Sequence, residues 1–122
     1  MLIKDVRTLK DIQEEFSDKF PFLRIEFFTW IGKTEEKQKL NPELTIGEVR
    51  TIHKEGDLSI HGNLKVRTLE ANFRDIYGLS AQVFRLSGNI WLQTISTDDW
   101  TLHEQNRKGG ASAKHFKEKF ES

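Results

Sequence analysis

The chain of 122 residues contains no cysteine. That excludes disulfide staples and thiol catalysis, and it fits a reducing compartment. An excess of either charge is also missing: 19 basic side chains face 19 acidic ones, for a formal net charge of zero. A basic surplus is the usual footprint of general nucleic-acid or membrane-surface binding, so both lose their strongest sequence argument. Long apolar runs are absent as well. No stretch approaches the ~20 residues of a membrane-spanning helix. The opening Met1-Leu2-Ile3-Lys4-Asp5-Val6 has no extended apolar segment of signal-peptide type. The expected location is cytoplasmic, with no membrane partner.

Reaction motifs are equally scarce. The chain has no phosphate loop, dinucleotide fingerprint or nucleophile elbow. His53, His61, His103 and His115 are scattered, and none stands at metal-ligand spacing from another His, Asp or Glu. Asp98-Asp99, with His103 just beyond, invites acid–base or Mg²⁺ chemistry. Acids just before a helix are already explained as partners of its positive end. The reading therefore leans away from an enzyme, and neither cofactor nor metal is expected.

What the chain does have is aromatic bulk and a recurring pattern. Nine Phe and three Trp supply large buried areas in a chain that is 31% charged, enough for one ordered domain. Val6-Arg7-Thr8-Leu9 recurs as Val66-Arg67-Thr68-Leu69. Phe16 and Phe20 recur as Phe73 and Tyr77, and Leu23-x-Ile25-x-Phe27 as Leu79-x-Ala81-x-Val83. Thr45-Ile46-Gly47-Glu48 likewise matches Thr101-Leu102-His103-Glu104. Repetition of this kind is architectural. It predicts pseudo-repeats over residues 1–56 and 57–110 of one domain (1–110), with 111–122 as a tail, either a short helix or frayed.

Local signals fill in the elements. Thr8 is expected to cap a helix carrying Ile12, Phe16 and Phe20 on one face, which Pro21 ends. Thr45 with Glu48 forms a capping box, opening a helix expected to run to about Lys54 and stop at Gly56. Thr68 is expected to cap a third helix closed by Gly78. Thr101 should cap a fourth, which Gly109-Gly110 terminates. Strands are expected near residues 2–6, 22–31, 57–61, 64–67, 79–86 and 90–97, with hairpin turns at Gly62-Asn63 and Gly88-Asn89 and a short edge strand near residues 38–40. The charged stretch 32–42 should occupy, in the first half, the place of residues 90–97 in the second. Runs of strands between helices make this α+β, two related β-α-β-β-α halves forming one largely antiparallel sheet with helices packed on it.

Strand alternation then yields a candidate site. With Leu79, Ala81 and Val83 facing the helices, Gln82, Phe84 and Leu86 point the other way, pairing Leu86 with Trp91 and Phe84 with Gln93. The same parity exposes Arg24, Glu26, Phe28 and Trp30. Arg24, Phe28, Trp30, Phe84, Arg85 and Trp91 are therefore the candidate binding residues, on a face that is either an interface or a second mini-core under the helices. The locally basic end, Arg107 to Lys119, is read as a solvated helix or frayed end.

The stretch Val83-Phe84-Arg85-Leu86-Ser87-Gly88-Asn89-Ile90-Trp91-Leu92, continuing through Thr97-Asp98-Asp99-Trp100-Thr101-Leu102, resembles a group of short bacterial hypothetical proteins typical of the Bacteroidota. Ile25-Glu26-Phe27-Phe28 and Thr45-Ile46-Gly47-Glu48-Val49-Arg50 are also similar to theirs. The resemblance covers most of the chain. It implies a bacterial, cytosolic origin and carries over no catalytic residue. The expected function is a small non-enzymatic binding or self-association module using the aromatic sheet face, with a protein partner or a second copy. Single-stranded nucleic-acid binding is the alternative, through stacking on the aromatics with Arg24 and Arg85 on phosphate.

Overall fold

Helix starts organise this chain. A helix leaves its first backbone N–H groups without intrahelical partners, and here they are satisfied in two reciprocal pairs. The computed structural model describes residues 1–30 and 37–120, with the side chain of Trp30 outside that description. Its helices are α1 (Leu9–Lys19), α2 (Ile46–Val49), α3 (Val66–Tyr77) and α4 (Leu102–Phe120). Leu9 and Lys10 N–H donate to the carbonyls of Leu44 and Pro42, while Ile46 and Gly47 N–H donate to those of Arg7 and Asp5. The second pair repeats the pattern: Val66 and Arg67 donate to Trp100 and Asp98, and Leu102 and His103 to Leu64 and Gly62. The bridges Thr8–Thr45 and Lys65–Thr101 tie the pairs further.

The strands are β1 (Leu2–Ile3), β2 (Leu23–Trp30), β3 (Lys37–Lys39), β4 (Gly56–Asp57), β5 (Ser80–Ser87) and β6 (Ile90–Gln93). A four-stranded antiparallel sheet has the order β3-β2-β5-β6, and β1 pairs with β4 in a separate two-stranded ribbon. β3 thus flanks β2 as β6 flanks β5, the correspondence expected between residues 32–42 and 90–97. Residues 32–36 of that stretch, and Ile31 before it, lie outside the described residues.

The architecture is α+β, with its core between one sheet face and the helices. Leu9, Ile12 and Phe16 of α1 and Val66, Leu69 and Phe73 of α3 are fully buried with Leu23, Ile25, Phe27 and Val83 of the sheet. Phe27 meets Phe73 edge-on, with ring centroids 5.5 Å apart. The Ile12–Phe16–Phe20 and Leu69–Phe73–Tyr77 spacings match the helical period, which is why these stripes point inward together.

Several expectations are corrected. Thr68 does not cap α3; Lys65 occupies that position without a side-chain hydrogen bond, and Thr68 lies inside the helix. The carbonyls of Trp100 and Asp98 already satisfy the first N–H groups, so the helix begins a turn earlier without a side-chain cap. The structural counterpart of Thr8 is therefore Lys65, and the Val-Arg-Thr-Leu match is out of register with the fold. The largely antiparallel sheet has four strands, with β1 and β4 set apart as a two-stranded ribbon. Gly62-Asn63 is no hairpin turn, since residues 58–64 form no strand; it belongs to the loop whose Gly62 and Leu64 carbonyls accept the first N–H groups of α4. α2 stops at Val49, far short of Lys54, because buried Arg50 turns the chain outward in extended geometry, its guanidinium 2.5 Å from Asp5 and hydrogen-bonded to the Lys54 carbonyl. Gly56 is a strand residue, not a left-handed helix stop; among the described residues only Gly78 and Gly88 have positive φ.

The largest departure is α4, which runs through Gly109-Gly110 to Phe120 and so takes in most of the expected tail. Glycine here serves close approach. A Cβ on Gly109 would lie 2.9 Å from Phe22 Cβ and 3.0 Å from the Phe22 carbonyl, and one on Gly110 2.9 Å from the Phe22 ring. Asn106 fastens the same place by accepting the Phe22 N–H at 2.9 Å. Gly109→Ala therefore opposes two effects. Helix propensity alone would stabilise by about 1 kcal/mol, while the overlap with Phe22 must push α4 off the sheet, costing about 1–3 kcal/mol. The expected outcome is a lower denaturation midpoint; a raised one would show that the contact is not limiting.

Candidate binding face

The register of β2 on β5 sorts the side chains into two faces. Leu23 lies opposite Arg85, Ile25 opposite Val83 and Phe27 opposite Ala81; in alternation Arg24 lies opposite Phe84, Glu26 opposite Gln82 and Phe28 opposite Ser80. Directly opposed side chains share a face. The first set meets the helices. The second forms the open face, with Leu86 opposite Trp91 and Phe84 opposite Gln93, the pairs read from the sequence.

This parity separates Arg85 from the other candidates. It points to the helix side, where its guanidinium donates to Gln105 Oε1 at 2.9 Å and lies 5.6 Å from the Trp100 ring centroid. Gln105 is fully buried and donates in turn to Thr97 Oγ1 and to the Thr97 carbonyl, both at 2.8 Å. Arg85 is thus a structural clamp between β5 and α4. The alternation that selected Phe84 already placed its neighbour on the other side. Trp30 ends β2, and its side chain lies outside the described residues.

Arg24, Phe28, Phe84 and Trp91 do come together, in a shallow groove of about 270 Å³ completed by Glu26, Lys39 and Gln93. The Arg24 guanidinium sits 4.9 Å from the Trp91 ring centroid, bridging from β2 across β5 to β6. Glu26 is buried beneath it, with its carboxylate 3.7 Å from Arg24, 3.2 Å from Lys39 and accepting from Gln13 at 2.9 Å. Two cations and an amide compensate this carboxylate, as a buried charge requires. The groove therefore has aromatic walls over a paired floor. The sequence reading missed Lys39, whose place opposite Phe28 depends on the β2–β3 register.

A larger hollow of about 420 Å³ opens where Phe28, Leu40, Val49 and Gly78 meet. Its charged members are already engaged: Glu48 accepts the Thr45 N–H at 2.7 Å, and Arg74 donates to Asp75 at 2.9 Å.

The edges of the sheet are treated unequally. β3 presents Lys37, Gln38 and Lys39, all exposed. Where β5 extends beyond β6, side chains close its edge: Glu70 accepts the Val83 N–H at 2.8 Å, and Thr94 donates to the Val83 carbonyl from Oγ1 at 2.9 Å. Lysines and covering groups are the usual protections of an edge. β6 has neither. Its sequence is Ile-Trp-Leu-Gln, all four residues are exposed, and among the described residues no strand pairs beyond it.

The grouping of Asp98, Asp99 and His103 is not assembled. Asp98 offers its backbone carbonyl to Arg67, Asp99 and His103 are exposed, and no hydrogen bond joins the three side chains. Among the described residues no group of three or more His, Asp or Glu is placed to hold a metal ion, and no helix is long and apolar enough to cross a membrane.

One titratable group stands out. Burial pushes the Glu70 carboxyl up from 4.5 to about 7, with nearby Asp98 adding to the rise, against the lowering effect of the Val83 N–H and of Lys37 and Arg74. Because the folded state holds this proton more tightly than the unfolded one, the stability this group contributes is fully present below pH 4.5 and is lost as pH rises through about 7. Glu70→Gln keeps an acceptor for Val83 and removes the charge. The variant is expected to be more stable than the parent above pH 7, with the advantage shrinking to nothing as pH falls below about 4.5, measured by thermal melts across that range. A pH-independent difference would refute the assignment.

Comparison of the chain with protein-family models, with curated proteins and with solved structures found no match.

Proposed function

We propose that this protein is a non-enzymatic binding module of the reducing cytosol, whose docking surface is β6 with the adjoining aromatic face. The observation that carries the reading is the contrast between edges. The β3 edge is blunted by lysines and the part of β5 beyond β6 by side-chain caps, whereas β6 is left apolar and bare. Ile90, Leu92 and Ile95 are 55%, 40% and 60% exposed, and Trp91 is 37% exposed. A partner that covered only the open face would bury Trp91 and leave Ile90 and Leu92, on the opposite face of the strand, in water. A protein strand added to the edge shields both.

The reading is tested in extracts of cells expressing the protein at its own level. Wild type is expected to migrate above monomer size after crosslinking. Ile90→Lys/Trp91→Ser should return it to monomer size while its melting temperature moves by no more than a few degrees, both side chains being partly in solvent already. An assembly indifferent to that double substitution, or no assembly at all, would refute the reading.

A second reading has one observation in its favour: Phe28, Phe84 and Trp91 lie on an open four-stranded sheet beside Arg24 and Lys39, a surface on which unpaired bases stack. Arg85 no longer contributes, and Arg24 is engaged with Glu26 and Trp91. If nucleic acid were the ligand, short oligonucleotides would quench Trp fluorescence at low salt, and salt would reverse the effect. The edge-docking reading expects no change.

A further inference from the structure

We infer that the partner added to β6 is a second copy of this chain, joined antiparallel about Leu92 so that two four-stranded sheets become one. The inference rests on the binding surface proposed above and names its occupant.

Residues 86–97 contain no charged side chain, in a chain where 31% of residues are charged. These twelve residues include four of the eight large apolar side chains left exposed among the described residues. An edge with no charge to offer cannot pair the charges of a partner, which would be desolvated without compensation. The complement is another uncharged apolar edge, and the second copy brings one. Neutrality of the whole chain removes long-range repulsion between copies. Arg24 is the nearest cation on the open face. In the joined sheet the two Arg24 backbones are separated by five strand spacings, about 24 Å, well beyond the Debye length of ~8 Å at physiological salt.

Val83 accepts the Thr94 N–H, and Leu86 donates to the Phe22 carbonyl, so Val83, Arg85 and Ser87 turn their backbone groups towards β6. Their partners Leu92 and Ile90 therefore face inward, which leaves the N–H and C=O of Trp91 and Gln93 directed outward. A two-fold axis through the Leu92 pair sets Trp91 of each copy against Gln93 of the other, and each outward donor meets an outward acceptor. Every free backbone group of β6 is used. Leu92 then opposes Leu92 of the second copy across a non-hydrogen-bonded pair, the closer of the two antiparallel geometries, with Cα atoms about 4.5 Å apart. The interface is isologous, as expected of a two-fold dimer.

The absence of cysteine makes the register directly testable. In purified full-length protein, Leu92→Cys is expected to form a disulfide-linked dimer under mild oxidation. Ile90→Cys is not, because its counterpart lies about 13 Å away along the seam. Sedimentation should show wild type as a concentration-dependent dimer. Leu92→Lys and Leu92→Glu should each be monomeric, with dissociation constants raised about 100-fold or more by like charges placed face to face. Mixing these two variants should restore a dimer, a result that simple unfolding would not give; circular dichroism of each alone checks the fold. A dimer that survives Leu92→Lys, or crosslinking through Ile90→Cys in place of Leu92→Cys, overturns the inference. So does a purified wild type that stays monomeric. If in that last case an assembly in extracts still depends on Ile90 and Trp91, the binding surface stands with a different protein as partner; if none forms there, both readings fall.

Discussion

The reciprocal capping of helix starts is the constraint on which the fold depends. Each helix needs acceptors for N–H groups it cannot satisfy itself, and each finds them in the loop that precedes its partner helix. Neither member of a pair is complete alone. α1 carries its own capping box at Thr8 with Asp11, α2 at Thr45 with Glu48, and Thr101 exchanges the same bonds with Glu104. α3 has no side-chain cap and draws on α4's loop instead. Loops distant in sequence are thereby held at fixed separations, and the strands that follow α1 and α3 are delivered side by side.

From that placement the rest follows by packing. α1 and α3 bring two matching apolar stripes onto one face of β2 and β5. α4 adds itself at the end of the same face, with the glycine pair against Phe22 and Gln105 against Arg85. With the helices committed to one side, the other side of the sheet stays open, and its aromatics are shielded by one another and by Arg24. The exposed strand β6 is the cost of this arrangement: it is built on β5, and among the described residues no further element covers its outer edge.

Much of this was legible in the sequence because it is local. Thr45 with Glu48 names a helix start within four residues. Phe16–Phe20 and Phe73–Tyr77 name inner faces by spacing alone, and the Gly88-Asn89 turn carries the Leu86–Trp91 pairing with it. The failures share a physical cause. Thr68 looked like a cap because nothing local shows that Trp100 and Asp98 supply the acceptors. Gly109-Gly110 looked like a stop because the ring that requires them, Phe22, is far away in sequence. Arg85 joined the candidate site although alternation opposed it to Phe84.

The sequence by itself determined the α+β class, the side-chain caps at Thr8, Thr45 and Thr101, the buried stripes and the two-faced strands, all set by interactions between residues a few positions apart. Only the tertiary structure decided which sheet face the helices cover, which edge is left bare, and that Glu70 sits where burial raises its carboxyl to about 7. Those outcomes depend on contacts between segments twelve or more residues apart, whose geometry is set by the reciprocal helix starts and carries no local signature.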